Sequence, residues 1–210
     1  MFLFVQNCAN LTGLIVDFTL VTPIATTAFF NKKKPDHLNL DNLRRLTVGG
    51  NHSTKDHILK LRELFPKTVV CQSYGQSEVF ARIAEFPEGE RGQSLMNNFP
   101  DSIGLLRRAF DWKVVNVETE EILGPHQEGE LRLKTNYLMR EYLNSEPHGL
   151  YDSDGWYRTG DLVYYNEHGC IFVVGRATES FKYNNTYIHP REVEEIILTH
   201  RSVQNAGARK

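Results

Sequence analysis

Cysteine is scarce in the 210-residue chain: Cys8, Cys71 and Cys170 are odd in number, far apart and without C-x-x-C spacing. That argues against a disulfide framework and against a zinc site, and it points to a reducing compartment. An excess of charge of either sign is also missing. Lys plus Arg number 24 and Asp plus Glu 26, a formal net charge of −2, so a strongly basic nucleic-acid binder is not the default reading. No Lys/Arg run carries interleaved aromatics, and Lys32-Lys33-Lys34 reads as a solvated loop. There is no internal repeat and no low-complexity linker. No basic region precedes Phe2, which leaves a signal peptide poorly supported.

Long apolar runs are absent but for one. Leu11 to Phe30 could span a bilayer by length, and three lysines follow it. Asp17 near its middle would cost ~2.5–3.5 kcal/mol on insertion scales, and Pro23 with five threonines weakens the run further. No stable membrane span is therefore expected, and a membrane-anchored interaction protein is the least favoured of three readings. The matches to Asn-x-Ser/Thr at Asn10, Asn51 and Asn184 are chance ones in a cytosolic chain. What is present is ordinary: 40% hydrophobic and 24% charged residues, as in a soluble globular protein. The length fits one large domain, or a domain with a piece of another.

Leu43 to Val48 (LRRLTV) predicts a strand that feeds the turn Gly49-Gly50. Ser53 is placed to cap a helix, with Asp56 three residues on. Ile58, Leu61, Leu64 and Phe65 give that helix one apolar face, and Pro66 ends it. Thr68 to Cys71 (TVVC) is the next strand, and strand–helix–strand at this spacing is a βαβ unit with a parallel sheet. From Ser102 the pattern changes to antiparallel β-structure. Lys113 to Val117 and Gly129 to Lys134 read as paired strands, followed by a meander of Trp156 to Arg158, Val163 to Tyr165 and Ile171 to Val174. In that meander Thr159-Gly160-Asp161 reads as a tight corner, and Trp112 and Trp156 should be partly buried. A helix resumes at Pro190, with Val193, Ile196 and Ile197 inward. The fold class is α/β: a parallel βαβ portion, an antiparallel β layer, and the start of a small α+β C-terminal domain. The boundary is placed at 1–175 and 176–210.

Ligands of open α/β sheets sit beyond the carboxyl ends of the strands, where both Gly49-Gly50 and the stretch 74–78 fall. Tyr74, Gly75, Ser77 and Glu78 bring an aromatic platform, a hydroxyl and a carboxylate, a set that suits a base, a phosphate and Mg²⁺. Asp161 could accept from both hydroxyls of a ribose, and Arg176 offers a fork for ribose or phosphate oxygens. Each also has an ordinary structural reading: a turn for Gly49-Gly50, a capped loop for 74–78, a turn aspartate for Asp161, a surface ion pair for Arg176 and an exposed lysine for Lys182.

Three stretches in order make the pattern specific. QSYGQSE (Gln72 to Glu78) resembles the Q-G-Y-G-x-T-E motif of the adenylate-forming superfamily, which holds acyl- and aryl-CoA ligases, 4-coumarate–CoA ligase and firefly-type luciferases. GWYRTGDL (Gly155 to Leu162) resembles its G-W-x-x-T-G-D motif, and VGRATESFKYNNTYIHPREVE (Val174 to Glu194) resembles the stretch that follows. The resemblance implies activation of a fatty or aryl carboxylic acid by ATP to an acyl-adenylate, and then transfer to the thiol of coenzyme A. It implies that Tyr74 flanks adenine, that Ser77 contacts the α-phosphate, and that Glu78 binds Mg²⁺. Asp161 would hold the ribose, Arg176 the ribose or phosphate, and Lys182 would serve the thioester-forming step. Gly49 and Gly50 would let backbone approach the adenine and acyl pocket, with ATP or AMP, Mg²⁺ and coenzyme A as the ligands.

The chain departs from the family pattern at Ser73, Thr178, Asn185 and Tyr187. Nothing before Phe18 resembles the family's upstream phosphate loop, and the family's adenylating lysine would fall beyond Lys210. The stretch thus reads as a fragment or decayed paralogue that is not expected to adenylate an acid alone. A non-catalytic nucleotide- or acyl-binding remnant is the alternative. The compartment implied is cytoplasmic or peroxisomal, although Ala208-Arg209-Lys210 is no targeting tripeptide.

Overall fold

The computed structural model describes residues 16–31, 40–139, 141–143, 149–183, 186–198, 200, 202–203 and 206–207, without the side chains of 27, 28, 31 and 181–187. The chain divides into two compact units, Met1–Arg107 and Arg108–Lys210.

In the first unit, β1 (Phe18–Val21), β2 (Arg45–Val48) and β3 (Val69–Gln72) form a parallel sheet in that order. Helix α1 (Pro23–Asn31) follows β1, and α2 (Lys55–Leu64) joins β2 to β3. This is the expected βαβ unit. Its core is Val21, Leu43, Leu46, Val48, Ile58, Leu61 and Val70, with Phe29 and Phe65 packed against it. The apolar run from Leu11 to Phe30 divides into a strand and a nine-residue helix, its residues 11–15 lying outside the described ones. No helix among the described residues is long and apolar enough to cross a membrane.

Two expectations about α2 are corrected. The cap is Thr54, whose hydroxyl accepts from the His57 amide at 3.1 Å. Ser53 is buried instead, its amide donating to Gln72 Oε1 at 3.1 Å. Leu64 is 48% exposed, whereas Ile58 and Leu61 are fully buried. At 3.6 residues per turn Leu64 lies roughly 120° round the helix from Ile58 and Phe65 only about 20°, so the buried stripe runs through Phe65.

The stretch 74–78 is not an open loop. β4 (Tyr74–Gln76) leads into a 3₁₀ turn (Ser77–Val79) and then β5 (Ala81–Glu85), and with β6 (Leu105–Leu106) they form an antiparallel sheet. Antiparallel pairing therefore begins well before Ser102. Helix α3 (Gly89–Asn98), which the sequence pattern did not announce, links β5 to β6 and buries Leu95 and Met96.

The second unit is an antiparallel sheet of β7 (Asp111–Val115), β8 (Gly129–Lys134), β9 (Tyr157–Tyr165) and β10 (Ile171–Arg176), in the order β10-β9-β8-β7. The paired strands and the final hairpin are as expected. The Thr-Gly-Asp corner is not. β9 runs unbroken for nine residues through Thr159-Gly160-Asp161, so Asp161 lies inside a strand rather than at its end. The irregularity is absorbed as a bulge, with Arg132 opposite Arg158 and Glu130 opposite Leu162. Both tryptophans are half-buried. Trp112 meets Tyr165 edge-on at 5.0 Å, and the ammonium groups of Lys113 and Lys134 lie 4.7 and 5.3 Å from the Trp156 ring centre. A short hairpin, β11 (Phe181–Tyr183) with β12 (Thr186–Ile188), and helix α4 (Pro190–Leu198) complete the unit. Ile196 and Ile197 are 71% and 43% exposed, against expectation. The helix docks by its first turn, where Pro190 is buried and Arg191 Nη1 donates to the Val173 carbonyl.

Arg132 is buried on β8, 2% exposed. Its guanidinium donates to Glu130 Oε2 at 3.0 Å, Glu120 Oε1 at 2.8 Å and Asp152 Oδ2 at 3.0 Å. Burial raises the Asp152 pKa, but the Trp156 amide, Arg132 and the Asp154 amide outweigh it and hold the group at about 2. A depressed carboxylate pKa contributes stability above its unfolded value and loses it as pH falls through the folded one. Thermal melts should therefore show destabilisation setting in below about pH 4 and continuing towards pH 2, and Asp152→Asn should flatten that dependence. In the first unit, Thr54→Ala should cost about 1 kcal/mol, the usual loss for a helix cap, read by denaturant titration.

Candidate functional site

The sheet of the first unit ends in two turns that touch. The Gly49 amide donates to the Val21 carbonyl at 2.9 Å and the Ser73 amide to the Val48 carbonyl at 3.0 Å. A side chain at Gly49 would stand 3.2 Å from Ser73 Oγ and 3.4 Å from its carbonyl oxygen. Gly50, at φ +89°, turns the chain away. The turn after β2 therefore adjoins Ser73, the residue that leads into the stretch 74–78.

Gln72 holds them. Buried to 2% exposure, it accepts from the Ser53 amide and donates through Nε2 to the Asp101 carbonyl at 3.1 Å. One amide side chain thereby fixes the loop after β2 and the turn after α3 to the end of β3. Tyr74 and Glu78 are half-buried, and Gly75 and Ser77 are exposed. Phe80, immediately after the 3₁₀ turn, is 85% exposed and takes a left-handed φ of +51°. A cleft of about 280 Å³ in this unit, lined by Arg62, Phe65, Gln93 and Met96 among others, holds none of the motif residues.

Asp161 and Arg176 belong to the second unit and face each other across β9 and β10. Arg176 Nη1 donates to Asp161 Oδ1 at 2.8 Å and to the Thr159 carbonyl at 3.1 Å. The carboxylate side is 8% exposed and the guanidinium side 48%. The bulge leaves backbone groups off the ladder, and each needs a partner. The Gly160 amide donates to Glu130 Oε1 at 3.3 Å, the Asp161 amide to Thr159 Oγ1 at 3.1 Å, and Ala177 N–H to the Gly160 carbonyl at 2.8 Å. Gly160 itself has φ +70°, where a non-glycine residue is strained. The same side chains that close the bulge thus aim the acid.

Lys182 lies on β11 with its backbone opposite Tyr187; its side chain is outside the described ones. Sequence reasoning missed the Arg132 network and the role of Gln72. The first had a signal, since Glu130 and Arg132 share one face of a strand at i and i+2. For Gln72 nothing but a polar residue closing a buried strand hinted at it.

With this geometry in place, residues 8–143 match the model of a family described as AMP-binding enzyme. The chain belongs to that family. A luciferin 4-monooxygenase of Nipponoluciola cruciata is 32% identical over 198 residues, 93% of this chain and 34% of its own length. The peroxisomal OPC-8:0-CoA ligase 1 of Arabidopsis thaliana is 33% identical over 171 residues, 80% of this chain and 30% of its own length. A luciferase-like enzyme from the nonluminescent mealworm Zophobas morio superposes with a TM-score of 0.70 at 35% identity, over 77% of this chain and 38% of that one. An o-succinylbenzoate CoA synthetase of Bacillus subtilis shares the fold, with a TM-score of 0.73 at 24% identity over 91% of this chain and 37% of that one. The chain spans about a third of the length of the curated relatives it matches.

Close packing makes the first rim testable. A Cβ at Gly75 would lie 2.8 Å from the Ala81 carbonyl oxygen across β4 and β5. Gly75→Ala should therefore cost ~1–3 kcal/mol, the range for overpacking, measured by denaturant unfolding.

Proposed function

We propose that the chain is the nucleotide-binding part of an AMP-forming acid–thiol ligase. The acid–base pair Asp161–Arg176, joined at 2.8 Å and fixed by a bulge in β9, is the observation that carries this reading. A ribose diol donates hydrogen bonds to a carboxylate and accepts them from a guanidinium. The donor set at the bulge has that chemistry.

In this reading Tyr74, Gly75, Ser77 and Glu78 of the first unit are nucleotide contacts, and so are Asp161 and Arg176 of the second. Tyr74 flanks the base, while Gly49 and Gly50 let the backbone come close to it. Ser77 orients the α-phosphate. Mg²⁺ held with substrate phosphates takes only one or two protein carboxylates, so Glu78 fits that place, and the ion when bound would offset charge building on the phosphates. The substrate class is a fatty or aryl carboxylic acid. Its carboxylate oxygen bonds to the α-phosphorus of ATP with loss of pyrophosphate, and the sulfur of coenzyme A then takes the acyl carbon with loss of AMP. Lys182 serves the second step, on a segment that begins near residue 176. The compartment is cytoplasmic or peroxisomal. A binding role without catalysis uses the same nucleotide contacts, and the departures at Ser73, Thr178 and Asn185 favour keeping it as the second reading.

The test is calorimetric titration of the 210-residue protein with adenosine monophosphate. Weak binding is expected, and Asp161→Ala should reduce it by ~1–3 kcal/mol, the cost of unmade hydrogen bonds to a buried group. Absence of binding, or binding indifferent to Asp161→Ala, overturns the assignment.

A further inference from the structure

Ser180 and His189 flank the β11–β12 hairpin at its base, one residue outside the Phe181–Ile188 pair. Both are buried, at 6% and 2% exposure. Ser180 Oγ lies 2.8 Å from the Arg176 carbonyl oxygen and 2.7 Å from His189 Nδ1. On the other side of the ring, His189 Nε2 is 3.0 Å from Glu128 Oε1, in the loop before β8.

Counting protons decides how these groups are joined. A serine hydroxyl has one proton, and a carbonyl oxygen only accepts. The Ser180 proton therefore goes to the Arg176 carbonyl, and Oγ accepts from His189 Nδ1–H. The Glu128 carboxylate is also an acceptor, so His189 Nε2–H donates to it. A ring that meets both acceptors carries hydrogen on both nitrogens, which is the imidazolium form. The neutral alternative, with Ser180 donating to Nδ1, would leave two acceptor oxygens 2.8 Å apart with no proton between them.

Among the described side chains, the charged ones on the elements around the ring are these. Glu128 meets it directly. Arg176 on β10 is engaged with Asp161 on β9. On α4, Arg191 pairs with Glu195 at 2.7 Å and reaches the Val173 carbonyl, with Glu192 and Glu194 on the same helix. Glu179, in the turn before Ser180, is exposed.

We propose that His189, held as an imidazolium between Ser180 and Glu128, is a positioning residue for Lys182, closing the base of the hairpin that carries this lysine and tying the hairpin to the β layer. The bond to Glu128 is the sole tie in this set that reaches outside residues 176–189. The protonated ring meets both acceptors and a neutral ring only one of them, so the latch holds while both ring nitrogens carry hydrogen and loosens when one proton is lost. Its bearing on thioester formation rests on the reading of Lys182 above; the latch does not.

The test follows the wild-type protein between about pH 5.5 and 8.5, the span of imidazole titration. Side-chain ¹⁵N spectroscopy reads the His189 ring, and amide hydrogen exchange, corrected for its intrinsic pH dependence, reads Phe181 to Tyr183 and Thr186 to Ile188. Expected are two protonated ring nitrogens at the low end and an acceleration of hairpin exchange by about tenfold or more as the proton is lost. Glu128→Gln keeps an acceptor of the same shape without the charge, and should move hairpin release to lower pH. A neutral ring at the low end, protection that ignores the ring's titration, or an unchanged release pH in Glu128→Gln each overturns the proposal. The wild-type titration stands without any variant. A hairpin that follows His189 in a protein that binds no adenosine monophosphate supports the latch while sinking the ligase reading.

Discussion

A guanidinium that cannot lose its proton lies inside the antiparallel layer, and the second unit is organised round it. Arg132 must be met by carboxylates or the strand carrying it cannot be buried. Glu130 comes from the same strand. Glu120 comes from the β7–β8 connection, where it accepts a left-handed φ of +61°, and Asp152 comes from the loop before β9. The dependence continues outward, because the second oxygen of Glu130 takes the Gly160 amide that the bulge leaves unpaired. The position of Asp161 is thus set, through two hydrogen-bonded steps, by a buried charge on the neighbouring strand.

The first unit solves a similar problem without charge. Gln72 ends β3 inside the protein with both halves of its amide used. A neutral amide needs less desolvation than an ion pair and tolerates a buried strand end. In both units a polar side chain at a strand position fixes loops that are distant in sequence, and the motif residues sit on what is fixed.

Much of this was legible. The parallel βαβ unit followed from two short β-branched runs either side of an amphipathic stretch, and the antiparallel layer from GELRLK and the aromatic strands. The motif residues were picked out by residue type near strand ends and by their resemblance to the adenylate-forming motifs. Most of what was misread shares one cause, namely pairing with partners far along the chain. Tyr74 to Gln76 looks like a loop because Gly75 interrupts it, yet β5 makes it a strand. Thr159-Gly160-Asp161 looks like a corner because of its glycine, yet Glu130, Thr159 and Arg176 hold it as a bulge inside a long strand. Ser53 has the right side chain for a cap, but burial against Gln72 removes it from that role and Thr54 takes over. Ile196 and Ile197 have helical spacing, yet the helix docks by its first turn and both stay exposed. Local preference named the elements, and tertiary hydrogen bonds decided where they ended.

The placement of tryptophan has a practical side. The sequence has only two, Trp112 and Trp156, and both lie in the second unit. Emission excited at the indole band reports on that unit alone. Trp156 adds chemical detail, since Lys113 and Lys134 stand over its ring and Lys113 also reaches Asp152 at 3.4 Å. Its fluorescence is therefore an optical readout of the carboxylate cluster round Arg132, while the parallel sheet of the first unit has no indole to report its unfolding.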